Sequence, residues 1–329
     1  MPELPEVEVS ARIAASALKN SQIEAIVIKD CKLFRPPNLT TINTDVPTQS
    51  GTIKQDFYWQ SGDLLALFNH ARPLAPYTLR LGKLMASLFE AKDGRVFCLF
   101  ARLGMTGKFV QTSHETLPHK SMKLSLSLAK NLTETVTKGS PKLRLDFLNT
   151  RMFGQLWVQS SQQAVAQQQQ LDTAKAIFKS EVLRSKMGVD AYELSAQPEE
   201  WLKHIREYAQ HRKVKTALLD QSLFAGIGNI YAAECLFVAH AHPLAKFSQL
   251  SDEQLLLMAN GLHESMTQTL VRSEGQGEVI YGSGLGPDSP FRVYGREDQA
   301  CYNCDQPLSF LRISGRATVF CQHCQKLDE

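Results

Sequence analysis

Several features that would settle a protein's class are missing here. No run of 18 or more apolar residues occurs in the 329-residue chain, so no bilayer-spanning helix is expected. The first residues carry no basic segment followed by an apolar one and so do not read as a secretory signal. The reading is an intracellular protein with no membrane partner, in cytoplasm or nucleoid if bacterial and possible in a nucleus if eukaryotic. A strong charge of one sign is also missing. The 36 Lys and Arg against 33 Asp and Glu leave +3, so a nucleic-acid partner would require the positive charge to be gathered on one face. No internal repeat is visible. Cysteines number seven, an odd total that speaks against a disulfide framework. Cys31, Cys98 and Cys235 lie apart among apolar neighbours and read as small core residues.

The remaining four cysteines fall within the last 29 residues. Cys301-x2-Cys304 and Cys321-x2-Cys324, separated by sixteen residues, have the spacing of a four-thiolate zinc site. Each pair can set two sulfurs on one side of a tetrahedron. SFLRI and ATVF between the pairs read as two strands around Ser314-Gly315. A closed, structural Zn2+ on a β-hairpin is therefore expected. Arg316 follows the turn. It is either a solvated loop arginine or a guanidinium held out on a rigid support, suited to a phosphate.

The amino end is rich in proline and acid: MPELPEVE. From Glu3 to about Leu18 the apolar stripe of Ile13, Ala14, Ala17 and Leu18 is helical. Pro5 suits the first helical position, and Glu6 and Glu8 suit the first turn. From about Ile23 to Val158 short apolar runs (IEAIVI, GDLLALF, LMASLFE, RVFCLFARL, MKLSLSLA, LRLDFL, QLWVQ) read as strands of a sandwich or barrel. SSQQAVAQQQQ reads as a linker. From about Asp172 the period is helical. Trp201, Ile205 and Tyr208 share one side of EEWLKHIREYAQ, and Ser251 opens a capping box before a helix carrying Leu255, Met258, Leu262 and Met266. Gly226 and Gly228 precede Asn229, which can cap a helix. With Lys215 upstream, this is a candidate anion site, although Gly–Asn before a helix is often only a turn.

PELPEVE from Pro2 to Glu8, GIGNIYAAE from Gly226 to Glu234, VYGR from Val293 to Arg296 and the terminal hairpin with GRATVFC occur in the order found in one family. The sequence resembles formamidopyrimidine-DNA glycosylases, whose wider family includes endonuclease VIII. The resemblance implies an α+β multidomain fold. Residues 1–160 would form a β-sandwich with a catalytic N-terminal helix, and 161–171 a linker. A helical helix–two-turn–helix DNA-binding domain would span 172–290, and a zinc β-hairpin finger 291–329. It implies a monomeric enzyme that removes formamidopyrimidines and 8-oxoguanine from double-stranded DNA and cleaves the strand at abasic sites.

By the same resemblance, Pro2 is the nucleophile once Met1 is removed, Glu3 the general acid/base and Glu6 a second active-site carboxylate. Lys83, at the tip of RLGKLMASLF, would reach a phosphate beside the lesion. Met105 of RLGMTG would fill the space of the flipped nucleotide. Arg151 and Phe153 of NTRMFG would face the orphaned base and wedge the stack. Lys215, Asn229 and Arg316 would contact phosphates. Core packing is the alternative for Met105 and Phe153.

Some positions depart from the family. Arg102 stands where histidine is usual, and Met152 replaces a second arginine. The stretch from about 49 to 78 is longer, and the loop from 274 to 292, which in the family caps an everted 8-oxoguanine, is shorter. That last departure raises an endonuclease VIII-like preference for oxidised pyrimidines as the alternative. A non-catalytic binder of damaged DNA is a third reading.

Overall fold

The computed structural model describes residues 2–29, 46–48, 51–53, 61–130, 143–279 and 291–327. Cys31, most of the 274–292 loop and part of the 49–78 stretch lie outside them. The chain divides into two compact units. The first comprises Met1–Pro2 and Glu6–Ser185, the second Glu3–Pro5 and Lys186–Glu329.

The first unit begins with helix α1 (Leu4–Leu18), whose opening residues count with the second. It continues through β1 (Ser21–Ile28), the short pair β2 (Val46–Thr48) and β3 (Gly51–Ile53), and helix α2 (Ser61–Phe68). Then come β4 (Arg72–Leu81), β5 (Leu84–Glu90), β6 (Val96–Arg102), β7 (Lys108–Ser113), β8 (Met122–Lys130), β9 (Leu143–Leu148) and β10 (Gln155–Ser160). Two four-stranded antiparallel sheets result, ordered β1-β8-β9-β7 and β10-β6-β5-β4. Leu124, Leu126, Leu145 and Phe147 of one sheet share a buried core with Phe89, Phe97, Leu99 and Leu156 of the other, and with Val7, Ala11 and Ala14 of α1. The sandwich is as expected.

GDLLALF is not a strand. Leu64, Leu67 and Phe68 are buried while Leu65 is exposed, which is the i, i+3, i+4 pattern of helix α2. A short apolar run does not separate the two periods by itself.

The Gln-rich stretch behaves differently from a linker. A 3-10 turn at Gln167–Gln169 leads directly into α3 (Gln170–Arg184), and the division between units follows Ser185 instead of falling at 161–171. The reason lies in β6, where six consecutive residues are buried. Phe97, Leu99 and Ala101 face the sandwich core. Phe100 stacks on Trp157 and Phe178, and the Cys98 thiol lies 3.6 Å from the Ala174 carbonyl. A strand without alternation needs cover on both faces, and α3 supplies the second.

The second unit contains β11 (Val189–Asp190), α4 (Ala191–Ser195), α5 (Pro198–Tyr208), α6 (Val214–Leu218), β12 (Phe224–Ala225), α7 (Asn229–Val238) and α8 (Asp252–Arg272). Trp201, Ile205, Tyr231, Leu255, Met258, Leu262 and Met266 form its core, joined by Leu4. The capping box holds: Ser251 Oγ accepts from the Gln254 amide and Gln254 Oε1 from the Ser251 amide. Tyr208 departs from the expected stripe. It is exposed and lies against the His204 ring. Between α6 and α7 a turn is closed by Asp220, which accepts from Ser222, and β12 follows it. Finally β13 (Ser309–Ile313) and β14 (Arg316–Phe320) pair around Ser314 and Gly315, both at positive φ. Val319, Leu308 and Val293 pack this hairpin on Ala233 and Phe237 of α7. No described helix is long and apolar enough to cross a membrane.

Candidate active site and four-cysteine hairpin

In the second unit the site is built around the start of α7. A helix leaves its first amide hydrogens without partners. The residue at the cap is Gly228, and it offers no side chain. Asn229, expected to cap, is the first helical residue, and its Nδ2 donates to the Ala317 carbonyl instead (2.7 Å). The cap comes from the other end of the sequence. Glu3 Oε2 accepts from the amides of Gly228 (3.0 Å) and Tyr231 (3.3 Å), and Oε1 from that of Ile230 (2.9 Å). The Leu4 amide donates to the Gly226 carbonyl. Gly228 is required by this approach, because a Cβ there would lie 2.2 Å from Glu3 Cδ.

Lys215 is wholly buried, and its ammonium donates to the Asn229 carbonyl (3.1 Å). Burial pushes its pKa down to about 8, helped by the positive charge of Arg316 and opposed by Cys235, Glu3 and Glu234. A buried ammonium held below its ordinary range, with the Arg316 guanidinium near enough to repel it, would have its charged form favoured by an anion. Arg316 opens β14, one residue before the carbonyl that Asn229 holds. Glu3, Lys215, Asn229 and Arg316, far apart in sequence, are thus brought together.

The four cysteine sulfurs lie within 4.8 Å of one another, the arrangement of a metal-binding set. Cys301 and Cys324 Sγ are 3.9 Å apart, and Cys304 and Cys321 Sγ are 3.5 Å apart. The amides of Asn303 and Cys324 point at the sulfurs of Cys301 and Cys321. Sequence reasoning passed over the residues that seat this hairpin. Buried Glu234 of α7 accepts from the amides of Arg292, Val293 and Tyr294. Arg296 donates to the Ala300 carbonyl and lies 3.5 Å from the Tyr302 ring centroid. Gln325 joins Cys321 to the Ala241 carbonyl. The GIGNIYAAE and VYGR motifs contained the signal, since Glu234 ends one and Arg296 the other.

In the first unit, Met105 and Phe153 are 41% and 63% exposed, so core packing does not describe either. Their loops touch. Gly104 (φ +68) lies so close that a Cβ would meet the Phe153 backbone at 2.3 Å. Thr106 Oγ1 accepts from the Arg151 amide (3.0 Å) and reaches Asn149 (3.2 Å). Met105, Arg151 and Phe153 therefore stand on one ridge, with Met152 beside them at positive φ. Arg102, at the root of the Met105 loop, donates to Ser185 Oγ and lies 5.7 Å from the Trp157 ring centroid. Lys83 is half-buried at the turn between β4 and β5, and Glu6 is half-buried in the first turn of α1.

Comparison with known proteins fits this geometry. The Formamidopyrimidine-DNA glycosylase H2TH domain matches residues 187–280, which begin where the second unit resumes. A formamidopyrimidine-DNA glycosylase of Thermomicrobium roseum is 30% identical over 336 residues, covering 99% of this chain and all of the relative. The chain belongs to the formamidopyrimidine-DNA glycosylase family. A second glycosylase, from a Synechococcus strain, is 32% identical over 68% of the chain and 71% of its own length. Among solved structures, Lactococcus lactis formamidopyrimidine-DNA glycosylase bound to DNA containing an abasic site shares the fold. Its TM-score is 0.68 at 22% identity, covering 99% of this chain and 100% of that one.

Proposed function

We propose that this glycosylase removes formamidopyrimidines and 8-oxoguanine from double-stranded DNA as a monomer and then cleaves the strand, through covalent catalysis by Pro2. The observation that carries this is Glu3, fixed by three main-chain amides immediately after Pro2. Such anchoring makes the end of a chain, usually frayed, a defined position.

With Met1 removed, Pro2 offers a secondary α-amine, whose ordinary pKa near about 8 leaves a useful neutral fraction at physiological pH. Its lone pair attacks the sugar C1′. The C1′–base bond breaks, and its electrons leave with the damaged base. Loss of the ring oxygen from C1′ gives an iminium that has no N–H to lose. That cation acidifies the C2′ hydrogen, whose removal expels the 3′ phosphate. Glu3 serves as general acid/base at the sugar oxygen. The main-chain amides that hold its carboxylate fix where that proton exchange takes place. Glu6 supplies the second carboxylate. Lys83, Lys215, Asn229 and Arg316 hold phosphates. Met105, Arg151 and Phe153 fill the duplex where the nucleotide has left, offsetting lost stacking.

The four cysteines suit one structural zinc. Tetrahedral zinc with thiolate bonds near 2.3 Å sets its sulfurs roughly 3.8 Å apart, and the sulfur pairs here lie at 3.5 and 3.9 Å. All four positions come from protein, so the metal would brace the hairpin bearing Arg316 and take no part in the chemistry.

The test is activity on defined duplexes. Release of 8-oxoguanine and formamidopyrimidine, nicking at abasic sites and a borohydride-trapped adduct are expected. Release of thymine glycol alone would move the enzyme to the pyrimidine-directed reading. Binding of these duplexes without a trapped adduct would leave only a damaged-DNA binder.

A further inference from the structure

Glu8 lies two residues beyond Glu6 and has no part in the chemistry above, yet it holds two arginines. Its Oε1 accepts from Arg12 Nε (2.8 Å) and its Oε2 from Arg80 Nε (2.6 Å). Arg12 is exposed, one helical turn on, and that half is an ordinary surface pair. Arg80 is different. Its side chain is only 10% exposed, and it belongs to β4, three residues before Lys83. Burial would raise the Glu8 pKa, but the Arg12 hydrogen bond and the nearby Arg80 charge outweigh burial and hold it below the usual range.

A second contact fixes direction. Thr78 Oγ1 donates to the Ala11 carbonyl (3.3 Å), while Arg80 meets Glu8. Two residues forward along the strand, roughly 6.6 Å, correspond to three residues back along the helix, roughly 4.5 Å. The strand thus climbs α1 toward its amino end. Leu81 pairs with Leu84, so Gly82 and Lys83 form the turn at the top. That turn therefore lies farther along this direction than Arg80 does.

We infer that Glu8 is a positioning residue: through Arg80 it fixes the Lys83 hairpin at the amino end of α1, and so sets where Lys83 meets the phosphate. This rests on the reading of Lys83 as a phosphate contact given above. The pairing is an element-to-element clamp, with one partner on the helix that leads from Pro2 and the other on the strand that leads to Lys83. Loss of the Glu8 charge removes the carboxylate that ties Arg80 to α1, and with it this tether on the hairpin.

The experiment is a kinetic cycle on the full-length protein with hydrogen exchange beside it. Glu8→Gln and Arg80→Gln are each combined with Lys83→Ala, and single-turnover nicking of an abasic duplex is measured. Each single substitution is expected to slow nicking by roughly tenfold, as misplacement of a contact by a fraction of an ångström does. In the Lys83→Ala background the same substitutions are expected to change the rate less than about twofold, because their route is already gone. Amide exchange across residues 79–86 is expected to quicken in Glu8→Gln. Equal slowing with and without Lys83 would overturn the inference, since the pair would then be merely structural. So would unchanged exchange in the hairpin. Should Glu8→Gln fail to fold, Arg80→Gln carries the same comparison. If the wild-type protein neither nicks nor traps, the enzymatic reading falls on its own, and the exchange result still decides whether Glu8 holds the hairpin.

Discussion

Glu3 is the residue on which both the start of α7 and the chain's amino end depend. Glu3→Gln replaces one acceptor oxygen by an NH2 that would face amide donors. A cost on the order of 1–3 kcal/mol is expected from the groups left unpaired, read by urea unfolding, together with loss of base release. Lys215 gives a prediction in pH. Its folded pKa of about 8 lies below the ordinary 10.5, so between these values the unfolded chain binds more protons than the folded one. Lys215 therefore contributes a stability increment that grows as pH climbs from 8 toward 10.5, and the difference between wild type and Lys215→Met is expected to show it. A bound phosphate favours the charged amine. Affinity for an abasic duplex is thus expected to fall more steeply through about pH 8 in the wild type than in Lys215→Met. Equal pH profiles for the two proteins would contradict the buried-cation account. In the sequence Lys215 and Asn229 read as parts of a candidate anion site. The sequence did not show that Glu3 would cap the helix, because a cap reaching from residue 3 to residue 228 has no local pattern.

At the scale of elements, the ridge of Met105 and Phe153 is exposed, so its substitutions separate function from folding. Met105→Ala and Phe153→Ala are expected to change stability by under about 0.5 kcal/mol while slowing excision from duplex DNA. A large fall in melting temperature would return them to a packing role. The hairpin makes the opposite case. Chelation of the proposed zinc or Cys301→Ser is expected to loosen β13 and β14 and weaken DNA binding, with the sandwich core intact by near-ultraviolet circular dichroism. The C-x2-C spacing made this element legible, because two fixed ligand pairs admit few geometries. The capping box at Ser251 was legible for the same local reason. GDLLALF was not, since a short apolar run satisfies both strand and helix periods. Nor was α3: its attachment to the first unit follows from the second buried face of β6, which no polar alternation marked.

For the whole molecule, the net charge of +3 understates the cationic character assigned to the proposed contacts. Lys83, Arg151, Lys215 and Arg316 are assigned to DNA, and binding through several phosphates weakens steeply with salt. A log–log slope of about −3 or steeper is expected if four phosphates are held, and a flat dependence would contradict those assignments. Fold class and family motifs could be read from the chain because the motifs stand in order along its length. The inner clamp of Glu8 and Arg80 could not, as the two residues are 72 positions apart. The central claim is that the ring nitrogen of Pro2 bonds to deoxyribose. Borohydride trapping on an abasic duplex, followed by peptide mapping by mass spectrometry, tests it most directly. The account expects the adduct on a Met1-free amino-terminal peptide, at Pro2. An adduct at any lysine, or equal trapping by protein that retains Met1, would contradict it.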